Sequence, residues 1–142
     1  MLNPICSNKL LPHDHWIDFF DLFSGDCYQQ HISIKNISLE FGDKSLINYS
    51  PLIAISYVQD PKGDWAKPTL GERLIITVNQ SDLLYTHTIY SPTEVSIKQR
   101  SNGEIMAVWI RDAAGTKTSI RLKSSDLSFY PPINHRVMQI AA

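Results

Sequence analysis

Residues 94–123 read EVSIKQRSNGEIMAVWIRDAAGTKTSIRLK, and the fold turns on how this stretch divides. Three short segments alternate apolar and polar residues, and two turn signals separate them, which is the pattern of an antiparallel meander. Asn102-Gly103 is the dipeptide that supplies positive φ at both central positions of a two-residue hairpin, and Asp112-Ala113-Ala114-Gly115 reads as a type I turn closed by a left-handed glycine. Counting out from the first turn sets Val95 opposite Ile110, Ile97 opposite Val108 and Gln99 opposite Met106. Counting from the second sets Ile120 opposite Val108 and Leu122 opposite Met106. One face is then aliphatic. The other carries Lys98, Arg100, Arg111, Lys117, Arg121 and Lys123 around Trp109, with Glu94 opposite Arg111 and Ile105 nearby.

Upstream of the meander, residues 1–11 show no periodicity and read as a loose N-terminal segment. Over residues 13–23 the pattern becomes helical: Trp16, Phe19, Phe20 and Phe23 fall on one side, Asp14, Asp18 and Asp21 on the other, Pro12 suits the start and Gly25 the end. An aromatic stripe at this spacing packs a helix onto a sheet or plugs the end of a barrel far more often than it boxes a ligand. Residues 27–41 read as a strand that changes phase, since Tyr28, Gln30, Ile32 and Ile34 share one face and Ile37, Leu39 and Phe41 continue one residue out of step. A bulge near Lys35-Asn36 accounts for the change. In a second long strand Ile47, Tyr49, Ile53, Ile55 and Tyr57 alternate around Pro51, which suits a bulge or an edge. Residues 60–71 form the longest loop and hold Trp65. Residues 73–79 and 83–91 then make a hairpin about Gln80-Ser81-Asp82, and Leu127 and Phe129 suit a last strand before Pro131-Pro132.

This order predicts a mainly β chain: one short N-terminal helix over residues 13–23, then about seven or eight consecutive antiparallel strands across residues 27–130. A sheet of that length removes its unpaired edges by closing. The expected architecture is an up-and-down barrel or strongly curled sheet forming a single β-barrel domain over residues 1–142, with a curved open sheet or sandwich as the second choice. A formal net charge of −1 and a hydrophobic fraction of 43% exclude a disordered chain and a general polyanion binder, so only local charge is informative. Cys6 and Cys27 have neither Cys-x-x-Cys nor zinc spacing, no secretory signal opens the sequence, and no apolar run reaches the about 20 residues that cross a bilayer. Reduced thiols in the cytoplasm and no membrane association are the expectation.

The stretch FFDLFSGDCYQQ, residues 19–30, resembles the opening of lipocalin-like barrels, in which a short helix leads to a glycine and then to an aromatic at the start of the first strand. More narrowly it resembles the S-type phycobiliprotein lyases, whose openings read F-F-E-L-S-x-G-x-W-x-S-Q-R. The family's Trp falls on Cys27 and its Arg on His31, and residues 124–127, SSDL, resemble the S-P-N-L before the family's last strand. The resemblance implies a barrel that binds an open-chain tetrapyrrole, a bilin, and hands it to a phycobiliprotein subunit as a chaperone or lyase. It implies no metal and no covalently held cofactor.

Candidate sites fall into three groups. His13-x-His15 with Asp14 and Asp18 offers nitrogen and oxygen donors but no third ligand at a defined spacing, so no metal is expected. Cys27 and His31, four apart on a strand, would lie more than about 10 Å apart at a rise of about 3.3 Å per residue, too far for a nucleophile and its base, and Cys27 reads as a buried thiol. No G-x-S-x-G, P-loop or dinucleotide fingerprint supports a hydrolase, kinase or dehydrogenase, which leaves lyase-like chemistry as the enzymatic option. The basic face admits several readings. It is a solvated outer wall; or Trp109 stacks a planar anion whose carboxylates pair with Arg100, Arg111 and Arg121; or the same groups take single-stranded nucleic acid; or Trp and Arg anchor an acidic protein partner. A near-neutral chain and the lack of a second aromatic on the face speak against nucleic acid. The expected ligand-binding set is Trp109, Arg100, Arg111, Arg121 and Lys98, joined by Trp65 from the long loop and by Tyr28 and His31 from the family-like opening, in a monomer or homodimer.

Overall fold

The computed structural model describes residues 6–40, 42–59 and 71–123. Its elements run β1 (Cys6–Leu11), a single 3-10 turn (His13–His15), α1 (Trp16–Asp26), β2 (His31–Ser38), β3 (Gly42–Val58), β4 (Arg73–Gln80), β5 (Leu83–Tyr90), β6 (Pro92–Arg100), β7 (Ile105–Asp112) and β8 (Lys117–Leu122). Every pairing is antiparallel, and the strands form one eight-stranded sheet in the order β1-β6-β7-β8-β2-β3-β4-β5.

The meander holds its expected register at the centre: Val95 faces Ile110, Ile97 faces Val108, Glu94 faces Arg111 and Val108 faces Ile120. At the Asn102-Gly103 end it does not. Gly103 N–H donates to Arg100 O at 2.9 Å, Arg100 N–H donates to Glu104 O at 2.8 Å, and only Gly103 has positive φ, so the loop has three residues rather than two. Gln99 therefore faces Ile105, and Met106 becomes the extra residue of a bulge that restores step by Lys98 and Ala107. The expected Leu122–Met106 pair lies past the end of the β7–β8 ladder, which stops at Ala107 and Arg121. The second turn is as expected. Gly115 takes φ 89° and donates to Asp112 O at 3.0 Å, while Asp112 Oδ1 accepts from Thr116 N–H at 3.0 Å.

The barrel and the strongly curled sheet are both corrected, because β1 and β5 stand at opposite ends of the order as unpaired edges among the described residues. Three register slips fall along β3, the strand that links β2 to β4. In the β2–β3 ladder the pairing slips between Ile32 and Ile34 and again between Ile34 and Lys35; in the β3–β4 ladder it slips between Leu52 and Ala54. Each time the surplus residue belongs to β3. Extra residues bend a strand, and a bent strand that serves two ladders makes a corner between two parts of a sheet. The burial follows the slips, with Ile47, then Ser50 and Leu52, then Ile55 turned inward. Pro51, which has no N–H to give, sits where β3 leaves β2, and Leu52 completes its pairing there with Gln29 and Gln30. The bulge expected at Lys35-Asn36 is therefore in β3; β2 pairs with β8 without a break.

Two further expectations change around α1. The N-terminal segment is not loose over residues 6–11, because β1 pairs with β6 from Cys6 opposite Arg100 to Leu11 opposite Val95. Cys27 caps the C-terminus of α1 instead of opening a strand, Gln29 turns the chain at φ 68°, and β2 begins only at His31. The helix packs as its stripe requires. Trp16, Phe19, Phe20 and Phe23 are buried in one cluster with the inward residues of the sheet, Phe19 and Phe23 stack at 5.6 Å, and Trp16 Nε1–H donates to Leu11 O at 3.1 Å. Each such side chain removed from water contributes about 1.5 to 3 kcal/mol, so this small helix is a major part of the core. Trp65, Leu127, Phe129 and the C-terminal expectations lie outside the described residues. Among those described, no helix is long and apolar enough to cross a membrane.

Candidate functional site

Regular pairing across β6, β7, β8 and β2 stacks outward side chains in rows. One row runs Ser96, Trp109, Ser119, Lys35; the next runs Lys98, Ala107, Arg121, Ser33; a third runs Glu94, Arg111, Lys117, Ile37. These residues share the face opposite Val95, Ile97, Val108, Ile110 and Ile120, all of them fully buried in the core. The face assignment made from the turns thus holds. Adjacent strands are about 4.8 Å apart, so Lys98 and Arg121 flank Trp109 within a patch about 10 Å across.

Local geometry gives the patch its character. Trp109 stands between two serines, Ser96 and Ser119, and Lys117 holds its Nζ 5.1 Å from the indole centroid, within cation–π range. Ser119 and Ala107 are buried, so the long side chains rise from a floor of small residues. Arg111 is exposed and faces Glu94 across the ladder. Arg100 is partly spent: its Nη1 meets Glu104 Oε1 at 3.5 Å, and its Nε is buried without a hydrogen-bond partner. Among the described residues, Lys98, Lys35, Arg121 and Lys123 form no ion pair with a carboxylate.

The sequence-derived set is therefore only partly assembled. Trp109, Arg111, Arg121, Lys98 and Arg100 share the face, and His31 joins them at its edge, where Lys123 N–H donates to His31 O at 2.9 Å. Tyr28 does not. It is exposed in the turn between α1 and β2, outside the ladder. Trp65 lies outside the described residues. Lys35 was missed because β2 is remote in sequence from the meander, and only the β2–β8 ladder sets it beside Ser119.

Two other polar clusters had no clear signal in the sequence. His13, considered above with His15, turns instead to Glu72: its Nε2 donates to Oε1 at 2.9 Å, and the Tyr57 hydroxyl lies 3.2 Å from the same nitrogen. Burial first, and then the hydrogen bond and charge of Glu72, raise the Tyr57 phenol above its ordinary range. The Trp16 ring closes the group at 4.5 Å from His13 and 5.6 Å from Tyr57. Secondly, an open cleft of about 700 Å³ lies between β5 and the β7–β8 turn, with His87, Asn36, Thr118 and Asp112 on its walls. Burial lowers the His87 pKa. Cys27 is a buried thiol, as expected, and desolvation with Asp26 nearby pushes it up to about 12, which removes it as a nucleophile near neutral pH.

A family model described as a family of unknown function (DUF5335) matches residues 7–128. An uncharacterized protein of Aquifex aeolicus (strain VF5) is 27% identical over 117 residues, covering 82% of this chain and 93% of that protein. No solved structure matches. The likeness to lipocalins and S-type phycobiliprotein lyases is thereby corrected on two grounds: the family that matches is a different one, and among the described residues the sheet is open rather than closed around an interior for a bilin. The short run of residues 19–30 carried a helix-glycine-aromatic pattern that packing explains by itself, since Phe19, Phe20 and Phe23 belong to the core and Tyr28 to a turn.

Proposed function

The chain belongs to this family of unknown function, and we propose that it is an interaction protein that holds an acidic segment of a partner protein against the outer face of β6, β7, β8 and β2. The observation that carries the reading is the row geometry: Trp109 is flanked by small residues and ringed by Lys98, Lys117, Arg111, Arg121 and Lys35. Trp and Arg are the side chains that most often dominate binding energy at protein interfaces, the first by area and the second by its fork of donors. Exposed cations speed encounter with an acidic surface and fix its register, while contributing little to the fold. A single Trp suits one anchor in a protein interface better than a run of stacked bases, and the net charge of −1 leaves no general pull on nucleic acid. A cytoplasmic setting is part of the proposal.

The test is a titration of the full chain with an Asp/Glu-rich peptide carrying one aromatic residue, and in parallel with a short single-stranded oligonucleotide, each at two salt concentrations. The peptide should bind, and Trp109→Ala and Arg121→Glu should each weaken it by about tenfold or more, while Lys44→Glu away from the face leaves it unchanged. Preference for the oligonucleotide, with a steep salt slope that Arg121→Glu flattens, would replace the reading by nucleic-acid binding. Binding of neither, or binding indifferent to both substitutions, would return the face to a solvated wall.

A further inference from the structure

The two edges of the sheet differ in how they are defended. β1 carries Lys9 and runs into Pro12, both of which discourage a further strand. β5 reads LLYTHTIY, with no Lys, Arg, Asp, Glu, Pro or Gly along its length. Its side chains are those favoured in strands, and Leu83, Leu84 and Tyr90 are 73%, 70% and 55% exposed. An edge of this kind is a template for pairing. We propose that β5 pairs antiparallel with β5 of a second copy of this chain, about a two-fold axis at His87.

The register follows from the hairpin. Ser81 and Asp82 both take positive φ, at 52° and 67°, and Gln80 faces Leu83, so the β4–β5 connection is a two-residue turn closed by a hydrogen-bonded pair. Leu83, Tyr85, His87 and Ile89 then exchange hydrogen bonds with β4, and Leu84, Thr86, Thr88 and Tyr90 direct their N–H and C=O groups to the open edge. No further partner is recorded for those groups among the described residues. A two-fold axis perpendicular to the sheet keeps both cores on the same side, so each inward residue must face an inward residue. With the axis at His87, Leu84 faces Tyr90 and Thr86 faces Thr88 of the partner, and every outward-directed residue of the strand is paired. Moving the axis to Thr86 would pair Tyr90 with the turn residue Asp82 and lose part of the ladder.

The side chains suit that register. Leu84 and Tyr90, both largely exposed in the single chain, cover one another on the outer face, and Tyr85 meets Ile89 on the inner face. Because the strand has no charged side chain, placing it against its own copy sets no like charges opposite, as Lys9 in β1 would. The pairing is isologous and closes at two copies, since β1 remains defended. It uses no residue of the basic face, so the two proposals stand or fall separately.

Sedimentation velocity of the full chain across the micromolar range tests the pairing, and it should record a concentration-dependent dimer. Thr86→Pro removes a donor that β4 does not use, so it should leave the melting temperature of the monomer unchanged and weaken the dimer about thirtyfold, two hydrogen bonds being lost per dimer. Should that variant fold poorly, Thr86→Lys with Thr88→Lys sets like charges opposite and should abolish the dimer, while Thr86→Lys with Thr88→Glu should restore it. His87→Cys, facing itself across the axis in a pair without hydrogen bonds, should cross-link on mild oxidation, whereas Thr86→Cys and the parent chain should not. A parent chain that stays monomeric throughout, a dimer that tolerates both Thr86→Pro and the paired lysines, or a dimer in which His87→Cys fails to cross-link would each overturn the proposal.

Discussion

Between Glu94 and Ile97 the meander keeps step with β7 residue for residue, whereas β3 loses step repeatedly along its 17 residues. Both are antiparallel, and both contribute fully buried aliphatic side chains to one core. They differ in what sets their pairing. In the meander the turns are short and lie next to the strands they join, so local chemistry fixes which residues face inward. In β3 the strand serves β2 with its first part and β4 with its second, and the bulges between reconcile two ladders whose phases do not match. Local chemistry thus determines faces well and determines the course of the sheet poorly.

The sharpest way to break this comparison is to cut the core on each side of it. Ile110→Ala in the meander and Leu52→Ala in β3 both truncate fully buried side chains, and each should cost about 2 to 5 kcal/mol in denaturant unfolding. The lower end of that range is expected at Leu52, where a bulged strand has more freedom to close the cavity. A cost at Ile110 below about 1 kcal/mol would mean that the meander is not the rigid member of the pair.

A second test concerns how β3 stays hydrogen-bonded while out of step. Ile55 N–H donates to Ser24 Oγ of α1 at 3.0 Å, so the helix, and not a strand, satisfies an amide just past the Leu52–Ala54 slip. Ser24→Ala should cost about 1 to 3 kcal/mol by leaving that amide unsatisfied, and Ser24→Thr should recover most of it. An unchanged midpoint in urea would show that the amide finds water and that the bulge needs no support from the helix.

These contrasts explain what was legible. Val95, Ile97, Val108, Ile110 and Ile120 were placed in the core from two turns, and the cations were placed opposite them, because a period of two leaves no third option. The helix was legible from Trp16, Phe19, Phe20 and Phe23 for the same reason, with a period of 3.6. Closure was not. An unpaired edge resembles a paired one in sequence, and whether β5 meets β1 depends on the corner in β3, whose surplus residues have no composition of their own. Asn102-Gly103 misled by one residue: Ser101 joined the loop, and Met106 absorbed the difference as a bulge. The His13, Tyr57 and Glu72 cluster draws its members from distant parts of the chain, so no spacing announces it.

A third prediction uses pH to separate the second part of the sheet from the meander. Burial lowers the pKa of His87 in β5 below its ordinary value of 6.5, so the unfolded chain binds a proton more readily than the folded one. The contribution is then fully present above about 6.5 and is lost as pH falls from there toward the lowered folded value. Stability measured by urea unfolding should drop on that descent, and His87→Gln should remove part of the drop. An equal drop in the variant would assign the dependence to groups other than His87.

The smallest expected effect tests the meander's own two faces. Lys98 is directly opposite Ala107 and one row from Trp109, on the face away from the core, and it has no carboxylate partner among the described residues. It is half-buried, so truncation removes some packing and no ion pair. Lys98→Ala should change stability by no more than about 0.5 kcal/mol, against the several lost at Ile110 on the opposite face of the same sheet. The two substitutions, melted side by side, measure how completely that sheet separates a core face from a solvent face. Equal losses would mean that Trp109 and its cations support the core, and the docking proposal would lose the free surface on which it stands.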